Sequence, residues 1–282
     1  MKGRNELKVA VLGAGTIGGA VAEALAPHGP VVATRKRAEP NPRLEAAGVR
    51  LLGDNGEAAG WADLVVLAVK PRQVVPVLLE VGHACAGKPV VSFAAAISLE
   101  ILQRSAPQAR FFRAMTNTAA RIGQAFTVFA PGRGMEEGDL RAAEGLFARL
   151  GDWQQVEETH LDVLTAMAGS GPAYIYTVLE ALILGALRVG LPRDLALQAA
   201  AHTAIGAAHL LLESGEHPAE LRDQVTTPGG VTIEGIYELE EGRVRTAFMK
   251  AVCAASAKAT ELAEAACLQA EECRVRSLQR VG

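Results

Sequence analysis

A glycine-rich turn near the N-terminus constrains this chain more than any other feature. Residues 13–18 read Gly-Ala-Gly-Thr-Ile-Gly and directly follow a short apolar run at residues 8–12. Residues 16–26 then have the composition of a helix. In such a strand–turn–helix unit, the first glycine permits the tight turn, the second lets backbone approach a pyrophosphate, and the third lets helix and strand pack closely. The segment predicts a dinucleotide-binding unit; a glycine-rich turn without a ligand is the alternative.

The first half of the chain alternates short apolar runs with helical stretches. The runs are mostly Val, Leu and Ala without polar alternation, which is typical of parallel strands covered on both faces. The strand candidates are residues 8–12, 30–34, 63–69 and 88–92, and the helix candidates are residues 16–26, 71–81 and 99–104. This alternation predicts an α/β fold with a doubly wound sheet.

After about Asp152 the pattern changes to long helical stretches rich in Ala, Leu and Glu. At about 150 residues per domain, the 282 residues favour two domains, which we expect at residues 1–155 and 156–282. The most apolar stretch, Tyr174–Leu191, contains Glu180 and Arg188 and is too short between charges to span a membrane. It is predicted to be a buried helix. So much apolar surface in the second half favours a homo-oligomer over a self-contained helical bundle.

Composition excludes several classes of function. The net charge of −3 and the 4% of aromatic residues do not suit a nucleic-acid-binding surface. With 50% hydrophobic residues the chain is not disordered. Four scattered cysteines form no CxxC pair, and residues 1–8 contain no apolar signal core. We therefore expect a cytoplasmic protein with reduced thiols and neither a nucleic-acid nor a membrane partner.

The end of the second strand distinguishes the two nicotinamide cofactors. An NAD-binding sheet usually places an acidic residue there, about 20 residues beyond the glycines, to hold the ribose hydroxyls. This chain instead has Thr34, Arg35, Lys36 and Arg37. A guanidinium binds a 2′-phosphate well, so the segment favours NADP(H) over NAD(H). The alternative is a solvated basic turn.

Other candidate sites have weaker support. The six histidines show no ligand spacing, so no metal site is expected. Ser170 lacks the surroundings of a nucleophile elbow, and Ser170-Gly171-Pro172 is better explained as a helix start. Lys70, at the end of a strand, is able to reach the cofactor but equally suits a surface position.

Several motifs together make the sequence more specific. They are GAGTIGGA at residues 13–20, Ala-Val-Lys-Pro at 68–71, Met-Thr-Asn-Thr at 115–118, Ala-Gly-Ser-Gly-Pro-Ala-Tyr at 168–174, and the run from Leu221 to Ile233 that contains Pro228-Gly229-Gly230. In this order the chain resembles pyrroline-5-carboxylate reductases, from the first strand to about Leu262. The Pro-Gly-Gly-x-Thr segment and its flanks are the most specific part.

The resemblance implies a Rossmann-type domain followed by an all-α dimerisation domain, in homodimers that are often gathered into decamers. It implies reduction of 1-pyrroline-5-carboxylate to L-proline with NAD(P)H, the last step of proline biosynthesis. The cofactor positions it implies, with those from the second-strand argument, are Leu12, Gly13, Ala14, Gly15, Thr16, Ile17, Gly18, Thr34, Arg35, Lys36, Asn55, Ala68, Val69, Lys70, Pro71, Phe93, Ala94 and Ala95. The substrate positions it implies are Gly229, Gly230, Val231, Thr232, Glu158 and Gln224.

The chemistry of the substrate turn agrees with this assignment. Gly229 and Gly230 have no Cβ, so their N–H groups are able to face the substrate carboxylate at a helix start. The Thr232 hydroxyl is able to donate to the imine nitrogen or to accept from its protonated form, which makes it the candidate catalytic residue. The alternative for Thr232 is a helix cap without a substrate role.

Three departures from the family pattern bear on the substrate. Thr116 and Ala119 stand where prolines are usual, Ala96 stands where glycine is common, and Thr227 and Val231 replace serine and threonine. One alternative is therefore a reductase of another cyclic imine, such as a six-membered ring. A second is a non-catalytic NADPH-binding module that regulates a partner. A β-hydroxyacid-type dehydrogenase is a third, but residues 174–188 lack the lysine it requires.

Overall fold

The structure, a computed structural model, describes residues 6–35 and 41–279, with side chains described up to residue 268. The chain forms two compact units. The first contains the chain through Ser170 together with the part from Ala255 onward, and the second contains Gly171–Ala254.

The first unit is built on one eight-stranded sheet. Its strands are β1 (Val9–Leu12), β2 (Val31–Thr34), β3 (Arg50–Leu52), β4 (Leu64–Leu67), β5 (Pro89–Ser92), β6 (Arg110–Met115), β7 (Ala125–Pro131) and β8 (Gly151–Gln155). Their order across the sheet is β3-β2-β1-β4-β5-β6-β7-β8. The β6–β7 pair is antiparallel and the other pairs are parallel. The expected doubly wound α/β domain is confirmed.

The helices begin and end as follows. They are α1 (Thr16–Leu25), α2 (Pro42–Ala46), α3 (Asn55–Trp61), α4 (Pro71–Val81), α5 (Leu99–Ser105), α6 (Glu137–Leu150), α7 (Leu161–Leu164), α8 (Gly171–Arg188), α9 (Arg193–Ser214), α10 (Pro218–Gln224), α11 (Val231–Glu241) and α12 (Val244–Gln279). Short 3₁₀ turns occupy residues 26–28, 118–122 and 158–160, and a π turn occupies residues 165–169.

Both faces of the sheet are covered, which explains the apolar strands without polar alternation. Along β1, Val9 and Val11 pack into one cluster together with Val21 of α1 and Phe147 of α6. The intervening Ala10 and Leu12 face the opposite cluster, which contains residues of α3, α4 and α5. Alternate side chains of one strand therefore enter two different cores.

The strand and helix candidates of the first half did not include β3, β6, β7, β8, α2, α3 or α6. Strand β6 carries two arginines, and β8 is largely exposed, so neither is a simple apolar run. Both strands are positioned by pairing with β7, which lies between them in the sheet. Such pairing depends on contacts between distant parts of the chain.

The first compact unit extends to Ser170, beyond the position between residues 155 and 156 where the sequence places the domain boundary. Arg113 of β6 forms ion pairs with Glu158 and Asp162, and Leu161 is buried against Met115 and Val128. These contacts hold residues 158–170 to the sheet. The end of α12 also belongs to the first unit, where Ala266 packs into the cluster of α4 and α5.

The helices of the second unit leave much apolar surface exposed. Helix α8 has no buried residue, so the prediction of a buried helix is wrong for a single chain. On α8 and α9, Leu182, Leu184 and Ile205 are each more than half exposed. The stretches Glu158–Arg188 and Arg193–Ser214 have the length and hydropathy of membrane spans, which is weak evidence by itself.

The described cysteines Cys85, Cys253 and Cys267 are free thiols. Burial raises the pKa of the Cys85 thiol to about 11, although the nearby charge of Lys88 acts in the opposite direction. This thiol is therefore protonated and unreactive at neutral pH.

An ion pair between Arg110 of β6 and Asp139 of α6 makes the stability of the first unit depend on pH. Nε and Nη2 of Arg110 bind the two carboxylate oxygens at 2.5 and 2.9 Å, and the Glu136 N–H donates to one of them at 2.9 Å. Burial alone would raise the pKa of Asp139, but the Arg110 and Glu136 hydrogen bonds and the Arg110 charge together lower it below 3.8.

We expect Asp139→Asn to lower the free energy of unfolding by about 2 kcal/mol near neutral pH, since it leaves Arg110 without its buried anion. Because the folded-state pKa is depressed, the stabilisation by Asp139 is complete above the unfolded-state pKa of about 3.9 and is lost as pH falls through the folded-state value. Urea unfolding of both proteins across this range measures the difference. A difference that stays constant down to strongly acidic pH would contradict the assignment.

Candidate active site

The predicted cofactor residues that the structure describes meet at one edge of the sheet. They lie at or just after the carboxyl ends of β1, β2, β3, β4 and β5, where parallel strands deliver their loops. The loop after β4 begins beside β1, since the Ala68 N–H donates to the Leu12 carbonyl at 2.8 Å. The loop after β5 begins beside β4, since the Phe93 N–H donates to the Leu67 carbonyl at 2.9 Å. The chain changes direction across the sheet between β1 and β4, which is where doubly wound sheets bind ligands.

The glycine turn fits a pyrophosphate. Gly13 has a φ of +95°, and a Cβ on it would lie 2.7 Å from Cγ1 of Val69. A Cβ on Gly18 would lie 2.2 Å from the Gly13 carbonyl oxygen, so helix and turn touch there. By contrast, the space around Gly15 is open, and α1 begins without a side-chain cap. The turn therefore presents uncovered backbone and the N–H groups of a helix start to an anion.

Thr34 supports this turn from within the protein. Its buried hydroxyl accepts from the Gly13 N–H at 3.2 Å and donates to Oδ1 of Asn55 at 2.7 Å. The amide nitrogen of Asn55 lies 3.4 Å from the Glu80 carboxylate. Thr34 thus positions the glycine turn. The sequence grouped Thr34 with the basic residues that follow it as a cofactor contact and did not predict this supporting role.

The basic residues after β2 are described in part. Arg35 is half-buried at the carboxyl end of the strand, beside the glycine turn, because the Ala14 N–H donates to the Thr34 carbonyl at 2.7 Å. Lys36 lies outside the described residues. The role of this segment toward a 2′-phosphate remains a prediction.

The loops after β4 and β5 differ in character. Lys70 is exposed and precedes α4, whose first residue is Pro71. After β5, Ala94 is buried and Ala95 is exposed. The next residue, Ala96, is buried with a φ of +66°, a conformation that a glycine adopts without strain. The alanine that replaces the usual glycine is therefore held in a strained backbone.

The loop after β6 uses the backbone N–H of Ala119, which stands where the family usually has a proline. The Ala119 N–H donates to Oδ1 of Asn117 at 3.0 Å and caps the 3₁₀ turn, a bond that proline cannot make. The Thr116 hydroxyl is buried and lies 2.9 Å from that of Thr127 on β7.

The predicted substrate turn is in the second unit, immediately before α11. Gly229 has a φ of +67°, and a Cβ on Gly230 would lie 2.2 Å from Oγ1 of Thr227. The N–H of Gly230 donates to the Thr227 carbonyl at 3.0 Å, so the expectation that it faces an anion is wrong. Val231 is 91% exposed.

Thr232 is not the cap of α11. The helix is capped by Gly230 without a side-chain hydrogen bond, and Thr232 is the second residue of its first turn. The capping alternative for its hydroxyl is thereby removed. The first N–H groups of α11 remain donors without an intrahelical acceptor.

The predicted substrate residues Glu158 and Gln224 form hydrogen bonds within the protein. Glu158 accepts from the Leu99 N–H at 2.8 Å and from Arg113 at 3.2 Å. Gln224, on α10, donates to Glu216 at 2.6 Å. His217 caps α10 by accepting from the Ala219 N–H. Ser170 immediately precedes α8, in agreement with a structural role.

Comparison with known protein families and structures gives consistent matches. Residues 158–262 match the family described as pyrroline-5-carboxylate reductase dimerisation. Residues 8–96 match the family described as NADP oxidoreductase, coenzyme F420-dependent. A pyrroline-5-carboxylate reductase of Pisum sativum is 40% identical over 257 residues, which are 89% of this chain and 94% of the relative.

Two solved structures share the fold. A pyrroline-5-carboxylate reductase from Coxiella burnetii is 30% identical with a TM-score of 0.78, over 92% of this chain and 99% of that one. The Plasmodium falciparum pyrroline carboxylate reductase, solved with NADP bound, has a TM-score of 0.85 at 24% identity, over 93% of this chain and all of that one.

The strand order, the glycine turn and the match of residues 8–96 define a Rossmann-type, NADP-dependent oxidoreductase. The helical half, whose apolar side chains are largely exposed in the single chain, matches the dimerisation family. The chain belongs to the pyrroline-5-carboxylate reductase family. This membership confirms the resemblance, the all-α dimerisation domain and the expected activity, the reduction of pyrroline-5-carboxylate to proline.

Proposed function

We propose that the chain reduces 1-pyrroline-5-carboxylate to L-proline with NADPH preferred over NADH, and that the turn before α11 holds the substrate. The observation that carries this assignment is the start of α11. There Gly229, in the left-handed region, and Gly230 lead into a first helical turn that no side chain caps. A small anion is the natural partner of such a turn.

The substrate has a carboxylate and an imine nitrogen, and the turn offers a partner for each. The N–H groups of Val231 and Thr232 bind the carboxylate, and the Thr232 hydroxyl hydrogen-bonds the imine nitrogen. When bound, the reduced nicotinamide supplies the hydride that the imine carbon accepts. A protonated imine is already electrophilic, so the chain needs to orient and desolvate it, without a general acid.

Consumption of NADPH by the purified protein tests this function. We expect NADPH absorbance to fall when 1-pyrroline-5-carboxylate is added and to fall much more slowly with the six-membered imine. Faster turnover of the six-membered ring would assign the chain to another imine carboxylate. Cofactor binding without turnover of either imine would instead favour the regulatory module.

Arg35 is proposed to select NADPH by binding its 2′-phosphate. We expect Arg35→Ala to weaken NADPH binding about tenfold and NADH binding less than about twofold, because only NADPH carries the phosphate. The dissociation constants of NADPH and NADH are measured by titration with each protein variant, with the fluorescence of the reduced cofactor as the signal.

Arg43 supplies the matched control for that experiment. It is a nearby arginine whose guanidinium is paired with Glu23 at 2.8 Å. We expect Arg43→Ala to leave the ratio of the two affinities unchanged. Equal losses for NADPH and NADH in Arg35→Ala would remove the phosphate role from Arg35.

The proposed assembly is a homodimer through α8 and α9, and five such dimers form the larger assembly, a decamer. The apolar groove between the two helices, lined by Tyr176, Ile183 and Leu197 among others, supports this. Its volume is about 510 Å³. We also propose a cytoplasmic location, since exposed free thiols such as Cys253 suit a reducing compartment. Light scattering of the purified protein determines the subunit number.

A further inference from the structure

Strand β6 carries a deeply buried arginine, Arg113. The Arg113 side chain is only 7% exposed. Its Nη1 binds Oε1 of Glu158 at 3.2 Å, and its Nη2 binds Oδ1 of Asp162 at 2.5 Å. A guanidinium so deeply buried requires both anions, and it therefore fixes the position of the two carboxylates.

Glu158 makes one further contact that Asp162 does not. The oxygen that accepts from Arg113 also accepts from the backbone N–H of Leu99 at 2.8 Å. Leu99 is the first residue of α5, so this N–H has no partner inside its own helix. The contact ties the end of the connection between β5 and α5 to a carboxylate nearly 60 residues further along the chain.

That connection, residues 93–98, needs to be held. Ala96 has a φ of +66°, and a non-glycine residue in this region persists only where the surroundings impose it. At its start the Phe93 N–H binds β4, and in its middle Ala94 and Ile97 are buried in the core. At its end Ser98 caps α5 by accepting from the Ile101 N–H at 3.3 Å, and Glu158 holds Leu99.

We propose that Glu158, oriented by Arg113, is a positioning residue that holds the β5–α5 connection in the conformation that binds NADPH. The proposal rests on the cofactor role proposed for Phe93, Ala94 and Ala95. It differs from the substrate role that the family resemblance implies for Glu158, since it acts through the Leu99 N–H and before any substrate binds.

The test compares the two carboxylates that share Arg113. We expect Glu158→Ala to raise the dissociation constant of NADPH about tenfold without substrate, because a looser connection spends less time in the binding-competent conformation. We expect Asp162→Ala to change that constant less than about twofold. Glu158→Gln keeps an oxygen that can accept from Leu99 and is expected to restore most of the affinity. NADPH fluorescence titration gives the constants, and thermal unfolding checks the fold of each variant.

A second pair of variants removes the donor and leaves Glu158 intact. Proline is tolerated at the first position of a helix and lacks an N–H. Leu99→Pro therefore removes the backbone hydrogen bond to Glu158 and no other backbone hydrogen bond of α5. Leu99→Ala controls for the lost side chain. We expect Leu99→Pro to weaken NADPH binding about tenfold relative to Leu99→Ala, and Glu158→Ala to have almost no further effect in the Leu99→Pro background.

Three results would overturn the proposal. One is an unchanged dissociation constant for NADPH in Glu158→Ala with a raised KM for the imine, which would leave Glu158 with a substrate role alone. Another is an equal loss in Asp162→Ala, which would indicate general loosening around Arg113. The third is that the losses of NADPH binding free energy in Glu158→Ala and Leu99→Pro add fully in the double variant. Because these measurements use NADPH alone, they stand apart from turnover of the imine by the unmodified protein.

Discussion

Replacement of Gly18 by alanine is expected to abolish measurable NADPH binding and to lower the thermal unfolding temperature. The added Cβ would lie 2.2 Å from the Gly13 carbonyl oxygen and 2.9 Å from Cβ of Ala68. Both neighbours are parts of the turn and loop that form the proposed pyrophosphate site, and neither is a flexible side-chain end. The helix must move away from the turn, which displaces the N–H groups that face the anion. We expect a loss of at least about a hundredfold in affinity, close to 3 kcal/mol.

Gly19 provides an unusually close control. It is the adjacent residue of the same helix and is also buried, but a Cβ on it would meet nothing nearer than 4.0 Å. We expect Gly19→Ala to keep NADPH affinity within about twofold and to be neutral or slightly stabilising, since alanine favours a helix over glycine. Comparable losses in both variants would show that the helix, rather than its contact with the turn, is sensitive to substitution.

The second large effect is expected at Thr232. Thr232→Ala should lower kcat/KM for 1-pyrroline-5-carboxylate between about tenfold and a hundredfold, because the imine nitrogen loses its hydroxyl partner in a desolvated site. The dissociation constant for NADPH should change little, since Thr232 lies in the second unit and the proposed cofactor residues lie in the first. Steady-state kinetics and NADPH titration separate the two quantities.

Two further variants test whether the hydroxyl itself is responsible. Thr232→Ser keeps a hydroxyl and is expected to retain most of the activity. Thr226→Ala removes a nearby hydroxyl that donates to the Arg222 carbonyl at 2.8 Å, and it is expected to leave kcat/KM within about twofold. If Thr232→Ala retained full kcat/KM, the residue would have no part in the reaction.

Local sequence was sufficient for the cofactor-binding unit. The strand β1, the Gly13–Gly18 turn and the helix α1 follow one another directly in the chain, so their order and spacing predicted them. Strands β1, β2, β4 and β5 were predicted for the same reason, because each is a short, fully buried apolar run. For α8 the apolar composition predicted a buried helix, but in the single chain none of its residues is buried, and the expected homo-oligomer remains a prediction.

The substrate turn was predicted in part. The Pro-Gly-Gly segment indicated a turn before a helix, and the structure has it there. The pattern could not predict which N–H groups are free to bind the substrate carboxylate. The Gly230 N–H is not, because it donates to the Thr227 carbonyl within the turn. That bond depends on the φ of +67° at Gly229, which two successive glycines permit but do not require.

The sequence by itself determined the fold class, the glycine turn and the family, since each is carried by short motifs whose own residues are neighbours in the chain. Only the tertiary structure decided what the polar residues do. Arg113 meets Glu158 at a separation of 45 residues, and Thr34 meets Gly13 and Asn55 at a separation of 21 residues each. Periodicity reports which face of a helix or strand is buried, whereas a hydrogen bond between distant segments exists only once strand order and register have brought its two atoms together.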